Sequence, residues 1–406
     1  MPMKRVLAVC LASILLLTAC GPAPAEETDG DNATTTPTTT TATPTTPTQP
    51  TVQLEASEVA RYQNIVDTEN QWLADMQLSN GALPMTPIED GTVKVTPYFS
   101  DFAALSLLNQ ADKYAANVKA YMDWHFAHLN TAAQDFNGVD GTIYDYNVTV
   151  KNGTVVKEEI LYQDGQKSYD STDSYAATFL MVLQKYVEKT GDKDYIIAHT
   201  AQIGRIVNAM FATMVGGLTL AKPDYEIKYL MDNCEVYEGM VTGGKLYADV
   251  LVPADKTQTL VLDQLKQGAQ QVADCIEQKM WNGQFYHPAL DPADEVAWEF
   301  AWSNYYPSAT AQTFPIIHGL IDPSSQRAQD LYAGFCNAYA WETMDVPDRF
   351  YWGSNVYTAA LMGDVERVST YMSLYERVMS RHLFPLYNAD AAKVCMAAYL
   401  MTQMGD

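Results

Sequence analysis

The sequence predicts an all-α fold over residues 53–406: an (α/α)6 toroid of six helical hairpins with a small β-hairpin insertion. Three observations predict it. Apolar residues recur at the 3.6-residue period of a helix through most of this span. Helices with one wet face alternate with helices that are apolar nearly all round, as an outer ring around an inner ring requires. The connections alternate as well, short after each apolar helix and long before the next.

The first residues lie outside this pattern. "MPMKRV" is a short basic start, and "LAVCLASILLL" is apolar but too short to span a bilayer comfortably. "LTAC" follows at Leu17 to Cys20, then Gly21. This stretch resembles the bacterial lipoprotein signal, which implies that residues 1–20 are a signal peptide and that Cys20 is lipidated. The mature chain is then expected at the extracellular face of a bacterial membrane, held there by its lipid. Residues 21–52 contain "TTTPTTTTATPTTPTQPT", with too few apolar side chains to pack a core. Pro and β-branched Thr favour an extended chain, so this stretch is expected to be a semi-rigid stalk.

The wet helices are expected near 56–79, 112–130, 192–215, 254–281, 323–341 and 364–381. In one of them Val261, Leu265, Ala269, Val272 and Ile276 share a face; in another Val368, Tyr371, Tyr375 and Val378 do. The apolar helices start near 100, 171, 233, 307, 354 and 388, as in "YAATFLMVL" and "VCMAAYLM". Short links such as "NQAD", "KTGDKD" and "MGD" end one helix and cap the next with Asp, two of them stopping the first at Gly. The long link 131–169 contains "TIYDYNVTVKNGTVVKEEILY", a hairpin turning at Asn152-Gly153. A further short strand is expected near Leu218.

Long loops carry function more often than short ones, and here they must share one face. An aromatic and then a polar residue precede each inner helix: "PYFSD", "SYDSTD", "YLMDN", "NYYPS", "YWGSN" and "LYNAD". Each aromatic is either a staple on the first helical turn or a stacking surface for the C–H face of a sugar. Acids stand at the same helix starts: Asp101, Asp170, Asp173, Asp232, Glu235, Glu238 and Asp390. Hydrolysis of a glycosidic bond needs one protonated and one ionised carboxyl, and crowding in an apolar pit supplies both.

Six helical hairpins with acids at the inner-helix starts resemble the six-hairpin glycosidase superfamily. "DSTDSYAATFLMVL" is also loosely similar to a stretch of glycoside hydrolase family 8, with Asp173, Ala176 and Ala177 the matching part. Its two acids stand three apart rather than two, and no partner Glu motif is found. The resemblance implies a toroid, a carbohydrate substrate and inversion. On this reading Asp173 is catalytic, Asp232 is its partner and Glu235 the reserve. Asp101 and Tyr98 would contact substrate, Asn304 and Asn355 would hold hydroxyls, and Tyr169, Trp302, Tyr305, Tyr306 and Trp352 would stack on sugar rings. The competing reading for Asp170 and Asp173 is that both cap a helix.

The net charge of -24 argues against nucleic acid as partner. Cys234, Cys275, Cys336 and Cys395 lack CxxC spacing, so free thiols are expected, with one disulfide as the alternative. The His residues form no HExxH-type cluster, "DPADE" at 291–295 reads as a solvated acidic loop rather than a calcium site, and no metal or cofactor is expected. The chain is expected to act as a monomer. Three other readings stay open: a glycan-binding lipoprotein without catalysis, a polysaccharide lyase, and a structural surface lipoprotein with no ligand. The lyase would want Arg or Lys at the inner-helix starts, where the sequence offers almost none.

Overall fold

The structure, a computed structural model, describes residues 53–378, 381–382 and 386–405. The signal, Cys20 and the stalk lie outside the described residues. The fold is mostly helical. In chain order the helices are α1 (Ala56–Asp75), α2 (Pro97–Leu107), α3 (Ala111–Ala127), α4 (Asp173–Thr190), α5 (Lys193–Ala198), α6 (Thr200–Phe211) and α7 (Leu230–Leu246). There follow α8 (Thr259–Cys275), α9 (Phe314–Ile317), α10 (Gln326–Ala338), α11 (Ser354–Leu361), α12 (Val365–Val378) and α13 (Asn388–Thr402).

Periodicity explains the burial. In α8 Leu262, Leu265, Gly268, Ala269 and Val272 are buried while the intervening polar residues face water. In α4 nearly every residue from Asp173 to Val187 is buried. Gly191 ends α4 at φ 71°, a left-handed conformation that costs glycine nothing, and the Asp192 carboxylate then accepts from the Tyr195 amide to cap α5. The fourth apolar segment is less regular than its pattern suggests. A wide turn over Tyr305–Ala309 precedes the four-residue α9, and Pro307 and Pro315 each remove a backbone donor from the helical ladder.

The hairpin is larger than expected. Strands β2 (Tyr146–Lys151) and β3 (Thr154–Ile160) turn at Asn152 and Gly153, both at positive φ as a two-residue loop requires. A third strand, β1 (Gly91–Val95), pairs antiparallel with β2 and gives the order β1-β2-β3. Val93, Val95, Val148 and Val150 face the core. Leu218–Thr219 pairs with Met214–Val215, and the links also form a small sheet from Lys228–Tyr229, Ala289–Leu290 and Val296–Trp298. The strand at Leu218 is the one expected; the others were missed in sequence because two- and three-residue ladders carry no period.

α2 packs against α4, α4 against α7, α9 against α7 and α11, α11 against α13, and α13 against α2. α1, α3, α6, α8 and α12 lie against these helices. The tightest approach joins α4 and α7: a β-carbon placed on Gly239 would stand 2.6 Å from Ala177 Cα and Cβ. Leu180, Leu183, Val236 and Met240 are fully buried around this contact, each stabilising by about 1.5–3 kcal/mol. Cys234, Cys275, Cys336 and Cys395 are free thiols.

Candidate active site

Asp173 is the first residue of α4 and is fully buried. The helix N-cap is Thr172, and Asp170 is exposed outside the helix, so Asp170 does not cap it. Asp173 Oδ1 accepts the Ser174 amide at 2.8 Å, while its buried Oδ2 has no well-aligned hydrogen bond, the Thr219 hydroxyl standing near enough to favour the charged form. Burial pushes the Asp173 carboxyl up to about 7, and the Glu235 charge adds to the rise.

Asp232, Glu235 and Glu238 follow at three-residue intervals along one side of α7. Burial, and then the charges of Asp173, Glu235 and Asp170, hold Asp232 well above the usual carboxylate range. Glu235 is also raised by burial, but four partners oppose the rise: the His318 charge, hydrogen bonds from Tyr98 and Ser174, and the Lys393 charge. The Tyr98 hydroxyl, on the first turn of α2, donates to Glu235 Oε1 at 2.5 Å. Burial works against ionisation of Glu238, yet the 2.7 Å bond to His318 Nδ1 and the His318 and Lys393 charges hold it below the usual range. The three candidate catalytic acids thus share one environment. Burial raises Asp173, Asp232 and Glu235 alike, and of the four acids only Glu238 is held below the usual range.

An aromatic series leads up to this cluster. His318 packs on Phe314 at 5.2 Å, Phe314 stacks on Trp352 at 5.4 Å, and Tyr306 lies edge-on to Trp352 at 5.9 Å. Tyr306 is 51 % exposed and close enough to raise the Tyr98 hydroxyl. Tyr98 itself stacks on Tyr175 at 5.9 Å. Asp173, Asp232, Glu235, Tyr98, Tyr306 and Trp352 are therefore joined through direct contacts and shared electrostatics.

The remaining predicted residues have other surroundings. Asp101 is fully buried and accepts from Tyr121 Oη and Thr178 Oγ1, both at 2.7 Å, which ties α2 to α3 and α4. Tyr169 is buried against Tyr144 and Phe136 and accepts from Asn137 Nδ2 at 3.1 Å. The Trp302 ring is seated on Gly334 of α10, where any side chain would collide with it. Asn304 is exposed. The Tyr305 hydroxyl donates to the Phe350 carbonyl at 3.1 Å and accepts from Asn355 Nδ2 at 2.8 Å, holding Phe350 beside Trp352. Asn355 Oδ1 stays buried and unpartnered among the described residues. Asp390 accepts the amides of Gly353 and Tyr387, at 3.1 and 3.3 Å, and burial pushes it up to about 6. Asp294 of the "DPADE" loop bonds Lys228 and Lys279, at 2.5 and 2.7 Å, and Asp291 accepts the amides of Ala293 and Glu295.

Sequence reasoning missed His318 and Lys393. His318 follows a broken helix, so its phase could not be read. Lys393 did leave a signal, as the one cation within the apolar run of α13.

No protein-family model matches the chain, and no curated protein does. The fold is shared with solved structures of low sequence identity. A glycosidase variant solved in complex with glucose superposes with a TM-score of 0.59 at 13 % identity, covering 86 % of this chain and 99 % of its own. An alpha-amylase from Clostridium perfringens gives 0.54 at 10 % identity, over 83 % and 97 % of the two chains. A D-mannose isomerase gives 0.52 at 10 % identity, over 86 % and 100 %.

Proposed function

We propose that the protein is a glycoside hydrolase built as an (α/α)6 toroid, in which Asp173 is the general acid and Glu235 the general base. The observation that carries this is one buried carboxylate cluster in which Asp173 and Glu235 share an environment but differ in their partners, Glu235 alone accepting the Tyr98 hydroxyl. Asp173 keeps its proton to about pH 7, while on Glu235 burial also raises the pKa but the His318 charge, the Tyr98 hydrogen bond and the Lys393 charge oppose the rise. The proton on Asp173 passes to the glycosidic oxygen as the bond to the leaving sugar breaks. Glu235 takes a proton from the attacking water. Asp232, raised still further, holds a proton and donates it to a substrate hydroxyl. The toroid is supported by the order of packing, since α2, α4, α7, α9, α11 and α13 each touch the next and the last touches the first. Neighbours in fold that are named glycosidase and alpha-amylase, one with glucose, support a carbohydrate substrate.

The test is a panel of neutral oligosaccharides and polysaccharides, with the anomeric proton of the first product followed by NMR. Cleavage with inversion is expected. Retention would transfer Glu235 to the role of nucleophile. Binding without cleavage would favour the glycan-binding alternative, and neither binding nor cleavage would remove the carbohydrate reading.

The lipid anchor at Cys20 is part of this proposal, supported by the "LTAC" motif behind its basic and apolar segments. No helix among the described residues is long and apolar enough to cross a membrane. The full-length protein is expected to fractionate with membranes, and Cys20→Ala to leave it in the soluble fraction. A variant that stays membrane-bound would rule out lipidation as the anchor. We propose further that it acts as a monomer on the extracellular face.

A further inference from the structure

Two lysines are buried among the described residues, Lys228 and Lys393. Their surroundings differ. Lys228 donates to Asp294 Oδ1 at 2.5 Å and to the Pro292 carbonyl at 3.2 Å. The half-buried Lys185 is engaged in the same way, by the Leu105 carbonyl and Asn109 Oδ1, both at 2.8 Å. Lys393 is 6 % exposed and makes no hydrogen bond among the described residues. Its ammonium lies 4.0 Å from the centre of the Phe102 ring and 5.0 Å from that of Tyr357. Ring faces attract a cation but accept none of its N–H donors in the way an oxygen does. The stem of Lys393 is enclosed while its ammonium keeps contact with solvent, so its three donors are open to oxygens that a ligand in the cavity supplies.

We propose that Lys393 is a substrate-binding residue at the floor of the acid cluster, donating to hydroxyl oxygens of the innermost unit of a neutral sugar. This rests on the glycosidase reading and adds the substrate's charge class. Lys393 sits where its charge acts on Glu235 and Glu238, and Glu238 is also bonded to His318 Nδ1 at 2.7 Å. Those two carboxylates already balance the nearby cations, and the Asp170 charge, which also acts on Asp232, adds to the negative side. An anionic sugar would meet net repulsion there. A neutral sugar offers what the floor lacks: acceptors for Lys393, and hydroxyl donors for Glu235, Glu238 and Asp173 Oδ2.

The test is reductive methylation of the whole protein with formaldehyde and cyanoborohydride, read by peptide mass spectrometry. It is run alone, then with D-glucose, D-galactose or D-mannose, and with glucuronate. Lys393 is expected to react in the free protein, to be protected by at least one neutral hexose, and to be left unprotected by glucuronate. Lys228 is the closed control and is expected to stay unmodified. If Lys393 is as inert as Lys228, its ammonium does not open onto the site and the proposal fails, whatever glycan is cleaved. Protection by glucuronate would overturn the neutral-sugar class. Reaction without protection by any hexose would also overturn the proposal, while cleavage in the panel would leave the glycosidase reading standing. Lys393→Met, which keeps a long stem between the two rings, provides the second measurement. Its KM on the cleaved glycan is expected to rise about tenfold or more, with a smaller change in kcat. A lysine that only neutralised Glu235 and Glu238 would shift the pH profile and leave KM unchanged.

Discussion

Asp173→Asn is expected to lower hydrolysis by about 10²–10⁴-fold, the usual contribution of a general acid, and at the same time to stabilise the protein above pH 7. The second effect follows from proton linkage. The Asp173 carboxyl titrates near 3.8 when free and at about 7 in the fold. Between these values the folded state binds the extra proton, so stability is greatest below 3.8 and is lost as pH rises through 7. A shift of that size corresponds to roughly 4 kcal/mol at most, and part of it belongs to Asp232 and Glu235, whose charges are coupled to it. Asn retains the carbonyl oxygen that accepts the Ser174 amide but carries no charge to bury. The wild type should therefore lose more stability than the variant between pH 4 and pH 8, measured by urea unfolding at each pH. Parallel curves would mean that Asp173 is not held protonated. Full activity in the variant would place the acid elsewhere, with Asp232 next in line.

Gly239→Ala is expected to damage both stability and catalysis from a position that touches no substrate. The new methyl would stand 2.6 Å from Ala177 Cα and Cβ and 3.0 Å from its carbonyl oxygen. Backbone atoms cannot rotate away, so α4 and α7 must separate. Overpacking of this kind costs about 1–3 kcal/mol. The same separation moves Asp173 away from Asp232 and Glu235, and a misplacement of about 1 Å can cost 10²-fold in rate. The measurements are the urea midpoint and kcat under conditions where the variant is folded. Adding Ala177→Gly removes the Cβ contact but leaves the 2.6 Å approach to Cα, so it should recover only part of both losses. A variant with unchanged kcat would show that the spacing of α4 and α7 does not set the carboxylate geometry.

Much of this protein was written in the order of its residues. The alternation of wet and apolar helices is a local property, because a helix repeats every 3.6 residues and a face that meets a core must be apolar. That alone placed α1, α3, α8 and α12 against α2, α4, α11 and α13, and it put the acids at the starts of α4 and α7. Capping is local too, so Gly191 and Asp192 marked where one helix stops and the next begins.

What the sequence did not contain is which side chains meet across helices. Tyr98 and Glu235 are 137 residues apart, and His318 and Glu238 are 80 apart. Nothing in the spacing of either pair announces the contact. The fate of the aromatics was equally hidden. Tyr306 and Trp352 lie beside the acids, while Trp302, a few residues away, is taken up by the space above Gly334. The proton affinities were decided last and least locally. Asp101, Asp173 and Asp390 are the same residue type at the same kind of position. Asp101 is satisfied by two hydroxyls, Asp390 by two amides, and Asp173 by a single amide, with only the Thr219 hydroxyl near its second, buried oxygen. Burial and neighbouring charge set a pKa, and both are sums over groups that only the folded chain brings together.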